Sequence, residues 1–250
     1  ARQVRHITRA TLAVRSGASP SSLPVGETEN YLWSMKEQAW VRKDKLTSTL
    51  SQLPNMFRNL TADEMAMVEF LLAKVGVSEA ELTQAVGSFP QLLSYPIDRL
   101  EARVQYLFQT VGISEDKLGK VMKNFPRLFS LKLKNLEPKV KFLLERFSLS
   151  KADLGKAVVN HPQLLSLALK NLEAKRDFLL MDIGVSEAKL GQMVERFPHL
   201  FSYSEENIEA KRDFLRGAGV AEDQLWQVVE RCPNLLGLSV DGNLAPTFRF

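Results

Sequence analysis

The chain has 250 residues, 45% of them hydrophobic and 25% charged, which is too apolar for a disordered polymer and ordinary for a globular one. One cysteine (Cys232) excludes an internal disulfide framework, and three scattered histidines (His6, His161, His199) form no spaced metal-ligand motif. No apolar run approaches the roughly 20 residues that cross a bilayer, and the net charge of +4 comes from 33 basic against 29 acidic residues.

The surplus lies at the start. Residues 1–26 hold Arg2, Arg5, Arg9 and Arg15 and no acid; Glu27 is the first carboxylate. Gly17, Pro20, Pro24 and Gly26 punctuate the same stretch, whose Arg, Ser and Ala content resembles an organellar presequence or its remainder. A start at Ala1 fits cleavage of an upstream targeting sequence. We expect a basic extended arm over 1–27, its four arginines facing an RNA backbone, and a helical domain over 28–250. Without the arm, basic and acidic residues balance, which argues against a strongly cationic, salt-driven duplex binder. Basic residues can still gather on one face.

From Pro54 onward the chain repeats. Prolines stand at 54, 90, 126, 162, 198 and 233, each in a phrase such as Phe89-Pro90-Gln91-Leu92-Leu93 or Phe125-Pro126-Arg127-Leu128-Phe129. The spacing is 36 residues four times and then 35, the mark of stacked supersecondary units. Within a unit, Leu100, Val104, Leu107, Phe108 and Val111 share one side of a helical wheel, and Leu136, Val140, Leu143 and Leu144 repeat the pattern. Asn135, Asn171 and Asn207 are the expected N-caps of this first helix, with Glu101, Glu137, Glu173 and Glu209 in its first turn. Gly112, Gly184 and Gly219 are its expected stops. Ser78, Ser114, Ser150 and Ser186 are placed to cap a second helix that runs to the next proline. Since proline cannot continue a helix interior, Pro-x-Leu-(Leu/Phe) opens a short third turn. The expected fold is all-α, an α-solenoid of helix–helix–3₁₀ units in which each unit buries its apolar face on the next.

These phrases resemble the mitochondrial transcription termination factor (mTERF) family. The carriers are Phe-Pro-x-Leu-(Leu/Phe)-Ser at 89–94, 125–130 and 197–202, with His161 replacing Phe at 161–166. The Leu-Glu-x-(Lys/Arg) helix start and the hydrophobic-Gly-(Val/Ile)-Ser turn at 111–114 and 183–186 add to the likeness. Tetratricopeptide and pentatricopeptide repeats, at about 34 and 35 residues, lack the proline-started turn. The resemblance implies a left-handed superhelix, residence in mitochondria or chloroplasts, and nucleic acid held in a basic concave groove. Family roles include transcription termination, organellar RNA processing and association with ribosomal RNA.

Aligning the units yields one basic column, Arg103, Lys139, Lys175 and Lys211, inside a wide apolar arc. Two readings stand open: a row of phosphate contacts, or structural pairs to carboxylates of the neighbouring unit. A patchier set comprises Lys132, Lys134 and Lys170, then Arg176 and Arg212, with an ordinary wet surface as its bland alternative. The aromatic row Tyr106, Phe142, Phe178 and Phe214 reads as core packing and not as base stacking, and His161 and Cys232 read as core substitutions of the Phe slot.

No paired carboxylates, Gly-rich phosphate loop or nucleophile–base motif stands out, so we expect no enzyme, cofactor, metal or small-molecule substrate. The sequence-level reading is a nucleic-acid-binding scaffold, most simply on ribosomal RNA within a mitochondrial ribosome and beside ribosomal proteins. The alternatives are a double-stranded DNA-binding regulator of organellar transcription and a solenoid that binds only protein; a chloroplast suits the arm composition equally.

Overall fold

The computed structural model describes residues 31–34, 39–42, 54 and 57–247. The arm with Arg2, Arg5, Arg9 and Arg15, and its boundary at 27/28, lie outside the described residues. Two short strands come first. Tyr31–Ser34 (β1) pairs antiparallel with Ala39–Arg42 (β2), Tyr31 opposite Arg42 and Ser34 opposite Ala39. This hairpin adds to the helical domain expected over 28–250. Four-residue strands are too short for period-two alternation to announce itself in sequence.

The rest is helical, in pairs. Ala62–Glu69 (α1) runs on as a π-helical turn, Phe70–Val75, and is followed by Glu79–Ser88 (α2). Ile97–Tyr106 (α3) likewise continues as Leu107–Val111 before Glu115–Asn124 (α4). Then come Leu133–Arg146 (α5) and Lys151–Asn160 (α6), Leu169–Met181 (α7) and Glu187–Arg196 (α8), Glu205–Gly217 (α9) and Glu222–Arg231 (α10). A 3₁₀ turn headed by the repeat proline follows each second helix: Pro90–Ser94, Pro126–Ser130, Pro162–Ser166, Pro198–Ser202 and Pro233–Gly237. The described chain closes with a π-helical turn, Val240–Leu244, and one last helical turn, Ala245–Thr247 (α11).

Local chemistry accounts for these limits. Ser78, Ser114, Ser150 and Ser186 all sit at N-caps, and Ser78 and Ser150 accept from the amides of Glu81 and Asp153. Gly112, Gly184 and Gly219 end their helices with φ of 86°, 78° and 93°, the left-handed geometry that lacks a Cβ penalty only for glycine. The expected caps Asn135, Asn171 and Asn207 need correcting. The first helices start earlier, capped at Lys132, Ala168 and Ser204, so these asparagines lie inside the first turn. Two residues of extended chain carry each proline turn into the next helix, and the backbone begins winding before the asparagine is reached. The glutamates shift with them: Glu101 falls beyond the first turn and pairs with Lys74 at 2.6 Å.

Packing turns the units into one body. Successive second helices α2, α4, α6 and α8 lie against one another, and the proline turns form a second row. First helices pack on the turn that closes their own unit, α3 on Pro126–Ser130 and α5 on Pro162–Ser166. Leu100, Leu136, Leu172 and Ile208 are wholly buried, and one apolar cluster runs from Phe57 to Leu236. β1 rests against the π-helical end of the first helix. The aromatic row belongs to this packing: Phe178 is buried, Phe142 meets Phe147 edge-on at 5.8 Å, and burial with the nearby Glu137 carboxylate pushes the Tyr106 phenol up to about 12. Of the two Phe-slot substitutions His161 is buried, as expected, but Cys232 is exposed, which corrects its reading as a core residue.

A glycine column that sequence inspection missed sets the distance between units. Gly119, Gly155 and Gly191 lie 36 residues apart on α4, α6 and α8. A Cβ on Gly155 would stand 2.1 Å from the carbonyl oxygen of Gly112, so α6 can rest on the preceding turn only as glycine. Gly155→Ala therefore reverses the usual sign of a helical Gly→Ala change. We expect it to cost about 1–3 kcal/mol by overpacking, whereas Gly87→Ala on α2, with nothing within 4 Å of its Cβ, should gain up to about 1 kcal/mol. Thermal melts of the two variants check this; a stabilised Gly155→Ala would contradict the close approach.

Candidate nucleic-acid interface

The basic column is largely turned inward. Arg103, Lys175 and Lys211 are only 7%, 7% and 6% exposed, and Lys139 is half-buried. Arg103 Nε donates to the carbonyl of Leu131 at 2.8 Å, just beyond the Pro126 turn, while its guanidinium lies 5.7 Å from the Tyr95 ring. Lys139 Nζ donates to the carbonyl of Leu165, in the Pro162 turn, at 2.9 Å. Lys211 Nζ donates to Asn207 Oδ1 at 2.5 Å, and Lys175 Nζ sits 5.3 Å over the Phe178 ring. Desolvation lowers the pKa of all four below the ordinary range. Arg103 and Lys139 thus clip a first helix to the turn that closes its unit, and the acceptors are backbone carbonyls, not the carboxylates the pairing alternative called for.

Arg176 and Arg212 do a related job in the opposite direction. Arg176 Nε donates to the carbonyl of Arg146 at 3.2 Å, and its other arm pairs with Glu187. Arg212 Nη1 reaches the carbonyl of Asp182 at 3.4 Å. Each therefore caps the C-terminal end of the first helix one unit back, where a cation meets the negative end of the helix dipole. Lys132, Lys134 and Lys170 differ. They are exposed at the N-terminal ends of α5 and α7, whose first turns contain no acid. A cation there opposes the helix dipole, so local stability does not explain it.

Burial exposes a further surface where the second helices end and the proline turns begin. One cavity of about 490 Å³ is lined by Gln84, Ser88, Lys123, Asn124, Asn160, His161, Pro162, Gln163 and His199. A neighbouring one of about 510 Å³ takes in Arg196, Phe197, Pro198, Tyr203 and Asn234 and shares Asn160 and His199 with the first. The two make one groove crossing several units, and no Asp or Glu lines either part. Its residues fall at repeat positions: Ser88, Asn124, Asn160 and Arg196 end the second helices, and Gln163 and His199 follow the prolines. Charge columns stand out in an alignment of units, whereas this set is mostly uncharged and varies in residue type, which is why sequence inspection passed over it.

Rings floor the groove. The His161 and His199 centroids lie 4.4 Å apart, Phe197 is 6.1 Å from His199, and Tyr203 stacks on Phe197 at 5.9 Å. His161 Nε2 is 2.7 Å from Ser202 Oγ. Burial, helped by His199, drives its pKa down to about 4, so the ring is neutral at physiological pH. Among the described residues no group of three His, Cys, Asp or Glu is arranged to hold a metal ion, and no helix is long and apolar enough to cross a membrane.

The clip has a direct test. Replacing Lys139 by Met leaves the Leu165 carbonyl without its charged donor, a loss of about 1.5–3 kcal/mol for a charge-assisted bond. The melting temperature should fall by about 2–4 °C for each kcal/mol lost. The salt dependence of nucleic-acid binding should stay as it was. An unchanged melt with a flatter salt dependence would instead mark Lys139 as a phosphate contact.

A family model described as mTERF matches the chain twice, over residues 31–148 and 143–250. The first match includes the hairpin, and the pair spans the helical repeats. No curated protein matches the chain.

Proposed function

The chain belongs to the mTERF family of nucleic-acid-binding helical-repeat proteins, and on that premise we propose that it is a scaffold for structured RNA, a component of an organellar ribosome that contacts ribosomal RNA. The observation that carries the reading is the groove across successive units that offers amides, cations and rings and no carboxylate. A polyanion meets no repulsion there, and in the absence of a large net charge on the body its recognition rests on hydrogen bonds. Lys132, Lys134 and Lys170 supply phosphate contacts at helix starts, and the four arginines of the arm extend the cationic surface. Arg103 and Lys139 hold a first helix on its proline turn, Arg176 and Arg212 bridge to the unit before, and Lys175 and Lys211 bind within their own helices. These cations therefore act on RNA only through the shape they support. Family members are typically organellar, and the acid-free, arginine-bearing start suits an organellar protein; the mitochondrion is the compartment proposed.

Two measurements test this. Deleting residues 1–26 should weaken co-sedimentation with mitochondrial ribosomal particles while the helical melt stays nearly unchanged; undiminished co-sedimentation would remove the arm from the interface. Replacing Lys132, Lys134 and Lys170 together by Ala should flatten the slope of log affinity against log salt by about 2 units on single-stranded RNA, from about 0.7 per phosphate contact. A slope identical to the parent's would show that these lysines face only water.

A further inference from the structure

We propose that the groove holds unpaired RNA, one unstacked base in each of its two cavities, with the base edges read by Asn160 and Gln163 and the base faces packed on His199. The inference deepens the RNA-scaffold reading and rests on it. Four observations converge on this ligand.

Size comes first. Cavities of about 490 and 510 Å³ fall within the range of small-molecule sites, roughly 300–1,000 Å³. Each is large enough for a single base. Spacing is the second point. The cavities sit on successive units whose packed helices are about 8–10 Å apart, while stacked bases rise only about 3.4 Å. A strand that fills both must splay its bases, which unpaired RNA does and a duplex resists.

Donor chemistry is the third. A groove that merely tracked phosphates would be lined by Lys and Arg. This one has Lys123 and Arg196 but also five amides, Gln84, Asn124, Asn160, Gln163 and Asn234, a group that carries both a donor and an acceptor and can match a base edge. The fourth is the floor of rings. His199 is exposed between neutral His161 and Phe197, and Tyr203 lies beyond, so planar surfaces serve both cavities.

The test uses the full chain and fluorescent 12-nucleotide U, C, A and G homopolymers, with a 12-base-pair RNA duplex for comparison. The parent should bind at least one homopolymer more tightly than the duplex and should discriminate among the four. His199→Ala should weaken every single strand about 5- to 100-fold, the loss of one base–aromatic stack. Asn160→Ala combined with Gln163→Ala should compress the ratios among homopolymers toward unity and leave the salt slope unchanged. Asn160 and His199 are exposed and Gln163 half-exposed, so the fold should tolerate these changes, which a thermal melt verifies. Ultraviolet crosslinks to U-rich RNA should map to peptides containing residues 160–163 or 199. A parent that prefers duplex, or variants that keep the parental ratios and affinities, would overturn the base-reading site while leaving the RNA scaffold standing. A parent that binds neither single strand nor duplex would overturn both.

Discussion

A proline at the head of each third turn is the constraint from which the unit follows. Its ring has no N–H to give and collides with the turn before it, so the second helix must end there. The tight turn that replaces the helix leaves carbonyls at its end, and buried carbonyls need donors. In two units the donors come from the first helix: Arg103 of α3 reaches Leu131, and Lys139 of α5 reaches Leu165. A long cationic side chain suits the task, because its stem lies on apolar surface while its head meets the negative end of aligned peptide dipoles. Farther along, the same column finds other company, with Lys175 over Phe178 and Lys211 on Asn207.

Close contact between units then depends on what is missing. Gly155 lets α6 rest on the backbone of the preceding turn. The turns themselves ask for a left-handed residue, which Gly112 supplies freely and Ser148, at φ 50°, supplies at a cost of roughly 1–2 kcal/mol. In the slot before each proline, His161 and Phe197 are buried, Phe89 and Phe125 are half-buried and Cys232 is exposed.

This division of labour shapes the surface. With the recurring cations turned to carbonyls, a ring and an amide within the protein, the groove at the second-helix ends and proline turns is lined by amides and imidazoles with two cations, Lys123 and Arg196. Such a surface attracts a polyanion weakly at long range and selects it at contact by hydrogen-bond pattern and stacking. In the proposed scaffold, long-range attraction falls to the exposed lysines at helix starts and to the arginines of residues 1–26.

Sequence by itself determined the period, the helix–helix–3₁₀ unit, the serine caps, the glycine stops and the family, because proline, glycine and serine act through their own backbone geometry within a few residues. It also exposed the column Arg103, Lys139, Lys175 and Lys211, but could not say where those charges point. Helical spacing orders residues around one axis and is silent about the neighbour that fills the space beyond it. The β1–β2 hairpin and the early helix start before Asn135 are local, but strands of four residues and a cap at Lys132 carry no pattern that sequence inspection could pick out. The Gly119–Gly155–Gly191 seam and the shared groove at Asn160 and His199 were decided by tertiary structure, because both depend on atoms from units about 36 residues or more apart being brought within a few ångströms, and that distance is set by packing.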